Sequence, residues 1–76
     1  MTPDRIKLEE CDEARRCMQG ERPVRIWSRE HGAYWRPNGN GYTQNPAWAG
    51  TWPLSSAWRA TRHCGPEKRI EFELVA

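Results

Sequence analysis

Few side chains in this 76-residue chain could carry out catalysis. Ser28 and His31 lie close together on a predicted turn and could form a nucleophile and its base, provided that a third group oriented the pair beside an oxyanion site. The sequence offers neither of these. The Gly39-Asn40-Gly41 loop precedes no Lys-Ser/Thr pair of the kind that makes a phosphate loop. The sequence therefore predicts that the protein is not an enzyme and has no catalytic residues and no cofactor.

Cysteine and histidine side chains could instead hold a zinc ion. The candidate ligands are Cys11, Cys17, His63 and Cys64. Structural zinc sites usually join two ligands in a Cys-x2-4-Cys knuckle, a spacing that Cys11 and Cys17 lack, and adjacent His63 and Cys64 would point to different sides of a helix. The alternative, three small buried hydrophobic cysteines, is favoured, so no metal is expected. An odd number of cysteines without disulfide spacing indicates a reduced, cytoplasmic setting.

Arginine dominates the middle of the chain. Residues 22–64 hold six arginines against one glutamate, Glu30, whereas residues 1–21 hold four basic and six acidic residues. The planar guanidinium pairs with carboxylates and phosphates and stacks on aromatic rings, so this composition predicts a recognition surface. The alternative is the arginine bias of a GC-rich genome. No apolar run approaches the roughly 20 residues of a membrane span, so no membrane partner is expected.

A β-hairpin over about residues 23–37 is expected to position these arginines. Polar and apolar residues alternate from Val24 to Arg29, and Glu30-His31-Gly32 is typical of a turn. One hairpin face would then carry aromatic rings beside guanidinium groups. The predicted partner-binding residues are Arg25, Trp27, Arg29, Tyr34 and Arg36 on the hairpin, extended by Arg59 and Arg62. The alternative is simple cross-strand packing, since aromatic pairs stabilise hairpins by roughly 0.2–1 kcal/mol and arginine covers rings well.

Two later segments have clear periodicity. Apolar or small residues from Leu54 to Cys64 recur with helical spacing before Gly65-Pro66, which predicts a helix over 53–64 with Pro53 in its first turn. Arg69 to Leu74 alternates polar and apolar residues, which predicts a half-buried strand over 69–75. Between hairpin and helix, Pro, Gly and Trp in residues 45–52 predict an ordered loop that packs over the sheet.

The N-terminal segment allows two interpretations. Thr2-Pro3-Asp4 is typical of a helix start, yet Arg5 to Glu9 alternates like a strand. A short strand or extended arm over 4–9, followed by a helix at about 11–19, is favoured. The sequence thus predicts an α+β fold, in which helix 53–64, with or without the N-terminal helix, packs on a small antiparallel sheet. One domain over 1–76 is expected, with an acidic segment at 1–21 and a Trp/Arg-rich core at 22–76.

Residues 26–43 carry a motif of the form Ile-Trp-Ser-x-Glu-His-x-x-Trp-Trp-x-Pro-Asn-x-x-Gly-Tyr-Thr. The matching positions are Ile26, Trp27, Ser28, Glu30, His31, Trp35, Pro37, Asn38, Gly41, Tyr42 and Thr43. The segment resembles a family of small uncharacterised proteins encoded by bacteriophages and prophages, over roughly residues 24–64. Tyr34 stands where the family more often has a first Trp. Trp52-Pro53 replaces an aromatic residue followed by a helix-capping Ser or Thr.

The resemblance implies a phage origin and supports two functional hypotheses. Small anti-CRISPR proteins are similar in length, genomic origin and lack of enzymatic motifs. The main hypothesis is therefore a stoichiometric inhibitor that binds a host defence complex, such as a CRISPR effector, in the cytoplasm of the bacterial host. The alternative is a small nucleic-acid-binding accessory protein, in which arginines contact phosphates and Tyr34 or Trp27 stacks on bases. A third hypothesis is an accessory phage protein of another role.

An acidic patch could serve the inhibitor hypothesis as well. Its residues are Glu9, Glu10, Asp12 and Glu13. Carboxylates would complement the basic, nucleic-acid-binding surfaces of an effector complex. The sequence thus leaves open whether the hairpin face or the acidic segment contacts the partner.

Overall fold

The computed structural model describes residues 5–75 of the chain. The elements are, in chain order, β1 (Arg5–Lys7), α1 (Glu13–Gln19), β2 (Pro23–Ser28), β3 (Ala33–Trp35), β4 (Tyr42–Thr43), β5 (Trp52–Pro53), α2 (Leu54–Thr61) and β6 (Ile70–Leu74). Short 3₁₀ turns lie at Leu8–Glu10, Pro37–Gly39, Pro46–Trp48 and Pro66–Lys68. The predicted α+β class is confirmed.

All strands of the sheet pair antiparallel, in the order β1-β6-β2-β3-β4, and β5 pairs with the start of β2. The C-terminal strand β6 therefore lies in the middle, between β1 and β2. Ile26 of β2 is paired with Phe72 of β6, and Phe72 with Ile6 of β1. The apolar residues of these strands therefore lie on one face, as the predicted alternation requires.

The hydrophobic core lies between that face and α2. Its buried members are Ile6, Cys11, Val24, Ile26, Leu54, Ala57, Ile70 and Phe72. Helical spacing brings Leu54, Ala57 and Thr61 to the sheet, and all three are fully buried. The Thr61 hydroxyl donates to the Ala57 carbonyl at 2.8 Å, which satisfies the polar group inside the core. Trp58 and Cys64 are only partly buried at the edge of this cluster.

The predicted helix over 53–64 is three residues too long at its C-terminal end and one too long at its start. Pro53 has an extended backbone (φ −57°, ψ 144°) because it pairs with Pro23 across β5 and β2. The first two N–H groups of α2, from Leu54 and Ser55, donate to the carbonyls of Arg22 and Gly20 at 2.9 Å each. The chain before β2 thus caps α2, which explains how a helix without a capping side chain begins.

The N-terminal segment forms a strand followed by a helix, as favoured, but the strand is shorter than predicted because Leu8–Glu10 forms a 3₁₀ turn. β1 covers Arg5–Lys7, and α1 begins after Asp12, whose carboxylate accepts the Arg15 N–H at 2.8 Å as an N-cap. The alternative helix start at Thr2-Pro3-Asp4 lies outside the described residues. Within residues 5–75, neither helix is long and apolar enough to cross a membrane.

Candidate binding surfaces

The face of the sheet opposite α2, which we call the polar face, carries charged and aromatic side chains. Its members are Arg5, Arg25, Trp27, Tyr34, Glu71 and Glu73. The register explains their grouping, because Arg25 is paired with Glu73 and Trp27 with Glu71. Both carboxylates are buried, although the alternation of β6 suggested that they face solvent.

Glu73 is the centre of this face. Its carboxylate accepts hydrogen bonds from Nη2 and Nε of Arg5 at 3.1 and 3.2 Å, from Nη1 of Arg25 at 3.3 Å and from the Tyr34 hydroxyl at 2.8 Å. Glu73 is only 5% exposed. A buried carboxylate is stable only with such partners, so donors from β1, β2 and β3 together allow β6 to carry a charge at this position.

The aromatic rings of the polar face also contact other side chains of this face. The Trp27 and Tyr34 rings pack edge to face with centroids 4.8 Å apart, and the Arg5 guanidinium lies 4.6 Å from the Trp27 centroid. Burial raises the pKa of the Tyr34 hydroxyl, and the hydrogen bond to Glu73 raises it further. Burial lowers the pKa of Arg5, but the hydrogen bonds to Glu73 and Tyr34 outweigh this, so that its pKa is raised. Both residues therefore keep their protons at neutral pH.

These contacts make the polar face an intramolecular network, in contrast to the open surface that the sequence predicted. Tyr34 is 7% exposed, so the structure buries a side chain that was expected to meet a partner. Arg29 lies 3.5 Å from Glu71 but stays largely exposed. The predicted face is not an open basic surface because Glu71 and Glu73 of the C-terminal strand neutralise arginines of the hairpin.

The other predicted binding residues lie in separate places. Arg36 is exposed in the loop after β3, whereas Arg59 is exposed on α2 and Arg62 directly after it, on the opposite side of the sheet from the polar face. The Arg62 guanidinium lies 5.6 Å from the Trp58 ring centroid, and that of Arg16 lies 3.6 Å from it. The helical arginines therefore do not extend the hairpin face.

A second surface is the segment of residues 36–48, which we call the aromatic loop. Its backbone turns at Asn38, Gly39 and Gly41, with φ of 61°, 70° and 93°, in the left-handed region that this sequence segment was expected to supply. The Arg36 N–H donates to the Gly41 carbonyl at 2.9 Å, closing the first turn. In the second turn the Asn45 side chain accepts the Ala47 N–H at 2.9 Å.

Sequence reasoning missed the exposed rings of this loop. Trp48 is 65% exposed, whereas residues 45–52 were expected to form a loop that packs over the sheet, and Tyr42 is 47% exposed. Of the two Trp residues in 45–52, Trp52 packs at the edge of the core, as expected, and Trp48 does not. The Tyr42 ring lies beside His31, with centroids 4.2 Å apart. The sequence held one signal that Trp48 is exposed, the Asn45-Pro46 start of a tight turn. This turn places Trp48 at the end of a 3₁₀ turn, where no helical or strand periodicity indicates burial.

A third surface is an open cavity of about 790 Å³ between α1 and the start of α2, which we call the α1–α2 groove. Its lining includes the basic residues Arg16, Arg22 and Arg59, the hydroxyls of Ser55 and Ser56, Gln19, the acidic Glu21 and the apolar Met18, Pro23 and Pro53. Met18 is 85% exposed. Cationic residues outnumber acidic ones in this lining by three to one, so the groove is suited to an anionic ligand.

The candidate catalytic and metal residues are not assembled into sites. Ser28 is buried and its hydroxyl donates to the Lys68 carbonyl at 3.5 Å, while His31 packs on Tyr42. Cys64 Sγ and His63 Nε2 are 4.0 Å apart. Among residues 5–75 no three His, Cys, Asp or Glu side chains come together as a possible metal site. Burial raises the pKa of the Cys11 thiol, as expected for a small core residue, but Cys17 is exposed and Cys64 only partly buried, so the prediction of three buried cysteines is wrong for these two.

Comparison with known proteins finds no matching family model, no similar curated protein and no similar solved structure. The phage-family resemblance of residues 26–43 therefore stays a prediction.

Proposed function

We propose that this protein is a non-enzymatic inhibitor that binds a protein of the host defence machinery through its aromatic loop. The observation that carries the proposal is the exposed Trp48 side chain. Exposing an indole to water forgoes about 25 cal/mol for each Å² of apolar surface that burial would remove, so a partner that covers it gains that free energy. Trp, Tyr and Arg are the residues that most often dominate binding free energy at protein interfaces.

Hydrogen bonds also fix the backbone of the loop around Trp48. The Trp48 N–H donates to the Asn45 carbonyl at 3.0 Å, and the Gly50 N–H donates to the Trp35 carbonyl of β3 at 3.0 Å. Both ends of the 3₁₀ turn are therefore tied, one locally and one to the sheet. Such preorganisation lowers the entropy lost on binding, which favours a recognition role for Trp48.

The character of the partner follows from charge and from the phage-like motif. The acidic residues Glu9, Glu10, Asp12 and Glu13 are all exposed, and they would attract a partner with a basic surface. An effector complex that handles nucleic acid has such surfaces. We therefore expect an anti-CRISPR-like inhibitor that acts in the cytoplasm of the bacterial host, where these complexes work.

A phage-protection assay tests this proposal. The wild-type chain, produced in a CRISPR-proficient host, should restore plating of a targeted phage, and Trp48→Ala should abolish this effect. Removal of a central Trp at an interface weakens binding by at least about 2 kcal/mol, or roughly 30-fold. Met18→Ala is the matched control, since it removes another large exposed apolar side chain outside the loop, 85% exposed against 65% for Trp48. Circular dichroism should report the same fold for all three proteins.

Two results contradict the proposal in different ways. A folded Trp48→Ala protein that still protects the phage would exclude the aromatic loop as the contact surface. A wild-type protein that protects no targeted phage, and that captures no defence protein from nuclease-treated host lysate, would remove the inhibitor function itself.

A further inference from the structure

We infer that the α1–α2 groove binds the phosphate groups of a nucleotide or of a single-stranded nucleic acid. This site is separate from the aromatic loop and does not depend on the inhibitor proposal. Arg16, Arg22 and Arg59 give the groove its charge, and Glu21 is the acidic residue in its lining. Within residues 5–75, neither Arg22 nor Arg59 has a carboxylate within 4.0 Å, so their charges are not neutralised as those of the polar face are.

The three arginines differ in how firmly they are held. Arg16 donates to the Cys11 carbonyl and stacks on the Trp58 ring, so its guanidinium is already engaged, and Arg22 and Arg59 are the cations left to pair with a ligand. Arg22 and Arg59 are exposed and come from the loop before β2 and from α2. A planar guanidinium can pair bidentately with a phosphate, and two that approach from different elements can hold successive phosphates of a chain.

The first turn of α2 provides hydroxyl groups and not backbone N–H groups. The N–H groups of Leu54 and Ser55 are already bonded to carbonyls of the preceding loop. The Ser55 and Ser56 side chains, however, line the groove and can donate to phosphate oxygens. Gln19 also lines the groove, and the NH2 group of a primary amide can donate to a phosphate oxygen.

The apolar part of the lining favours a ligand that carries a base as well as a phosphate. Met18 is largely exposed, and Pro23 and Pro53 also line the groove. Methionine is a polarizable, adaptable contact for flat ligands. The cavity volume of about 790 Å³ also lies within the roughly 300–1,000 Å³ of small-molecule and cofactor sites. A nucleotide unit therefore fits both the size and the chemistry of the groove.

Fluorescence anisotropy with a labelled oligothymidylate tests the site. With two phosphate contacts, the affinity should fall with a log–log salt slope of about −1.4, or roughly sevenfold between 50 and 200 mM salt. The double variant Arg22→Gln/Arg59→Gln should bind at least about tenfold more weakly and lose most of this slope. The matched control is Arg36→Gln/Arg69→Gln, which removes the same charge from exposed arginines outside the groove and should change the affinity less than about twofold.

Competition identifies the source of the phosphate. Displacement of the oligonucleotide by thymidine monophosphate or inorganic phosphate at millimolar concentration assigns the site to small phosphate ligands, whereas resistance to both assigns it to nucleic acid, and either outcome supports the inference. Three results overturn it. The first is no binding of any of these probes at low salt, the second is an equal loss in the two double variants, and the third is equally tight binding of a polyglutamate peptide.

Discussion

Replacing Glu73 by Gln should strongly destabilise the fold, although the two side chains have nearly the same shape. The change removes the negative charge that accepts hydrogen bonds from Arg5, Arg25 and Tyr34. Hydrogen bonds to charged groups contribute roughly 1.5–3 kcal/mol each. The full sum is not expected, because the Arg5 and Arg25 side chains are 29% and 25% exposed and can recover water, and because Gln keeps one acceptor oxygen.

The net loss should therefore be about 2–3 kcal/mol, below the roughly 3–5 kcal/mol of a fully buried pair that loses one partner. In a domain of this size each kcal/mol lowers Tm by about 4–8 °C, so a decrease of roughly 10–20 °C is expected. Urea unfolding followed by circular dichroism gives the free energy directly. The control is Glu10→Gln, which removes the same charge from an exposed residue and should change stability by no more than about 0.5 kcal/mol.

A double-mutant cycle with Tyr34→Phe separates the network from simple packing. If the carboxylate and the hydroxyl interact as the 2.8 Å distance indicates, the two changes should couple by about 0.5–3 kcal/mol. The reasoning fails if Glu73→Gln unfolds at the same urea concentration as Glu10→Gln, because the carboxylate would then contribute nothing that an exposed one does not.

Two further changes test other parts of the fold. The raised pKa of Tyr34 keeps its proton in the folded state above roughly pH 10, where the unfolded chain loses it. Wild-type stability should therefore decline from pH 10 upwards, and Tyr34→Phe should remove part of this decline in urea unfolding at several pH values. Gly50→Ala would place Cβ 2.6 Å from the Trp52 ring and 2.9 Å from Pro37 Cα, so thermal melting should report a loss of about 1–3 kcal/mol. An unchanged Tm would contradict that packing.

The fold class could be predicted because its main elements have strong local patterns. Alternation in β2 and β6 and the helical spacing of Leu54, Ala57 and Thr61 each follow from one face meeting the core. β4 and β5 could not be predicted in this way, since strands of two residues are shorter than one full alternation. The predicted start of α2 was one residue too early, because Pro53 pairs with Pro23 as part of β5 and is not part of the helix that follows.

The sequence predicted which residue types would form a binding site, but not where on the fold that site lies. Sequence reasoning recognised that Arg25, Trp27 and Tyr34 share a face, and the register places them so. It could not recognise that Glu71 and Glu73 complete this face. Strand alternation tells which residues face the core and which face away from it, but not which side chains of other strands lie beside the residues that face away. Arg5 shows the difficulty, since its carboxylate partner Glu73 is 68 residues away along the chain.

The distribution of these carboxylates decides where recognition can occur. The six central arginines looked like one basic surface because only Glu30 accompanies them in the sequence. Folding brings β6 beside β2, so that Glu73 holds Arg25 and Glu71 holds Arg29. Neutralised pairs contribute to stability and little to long-range attraction. Two surfaces keep groups without an intramolecular partner among the described residues. The α1–α2 groove has arginines that no carboxylate neutralises, and the aromatic loop has the exposed Trp48 ring. Binding experiments on this protein should therefore begin with these two surfaces and use the polar face as the internal control.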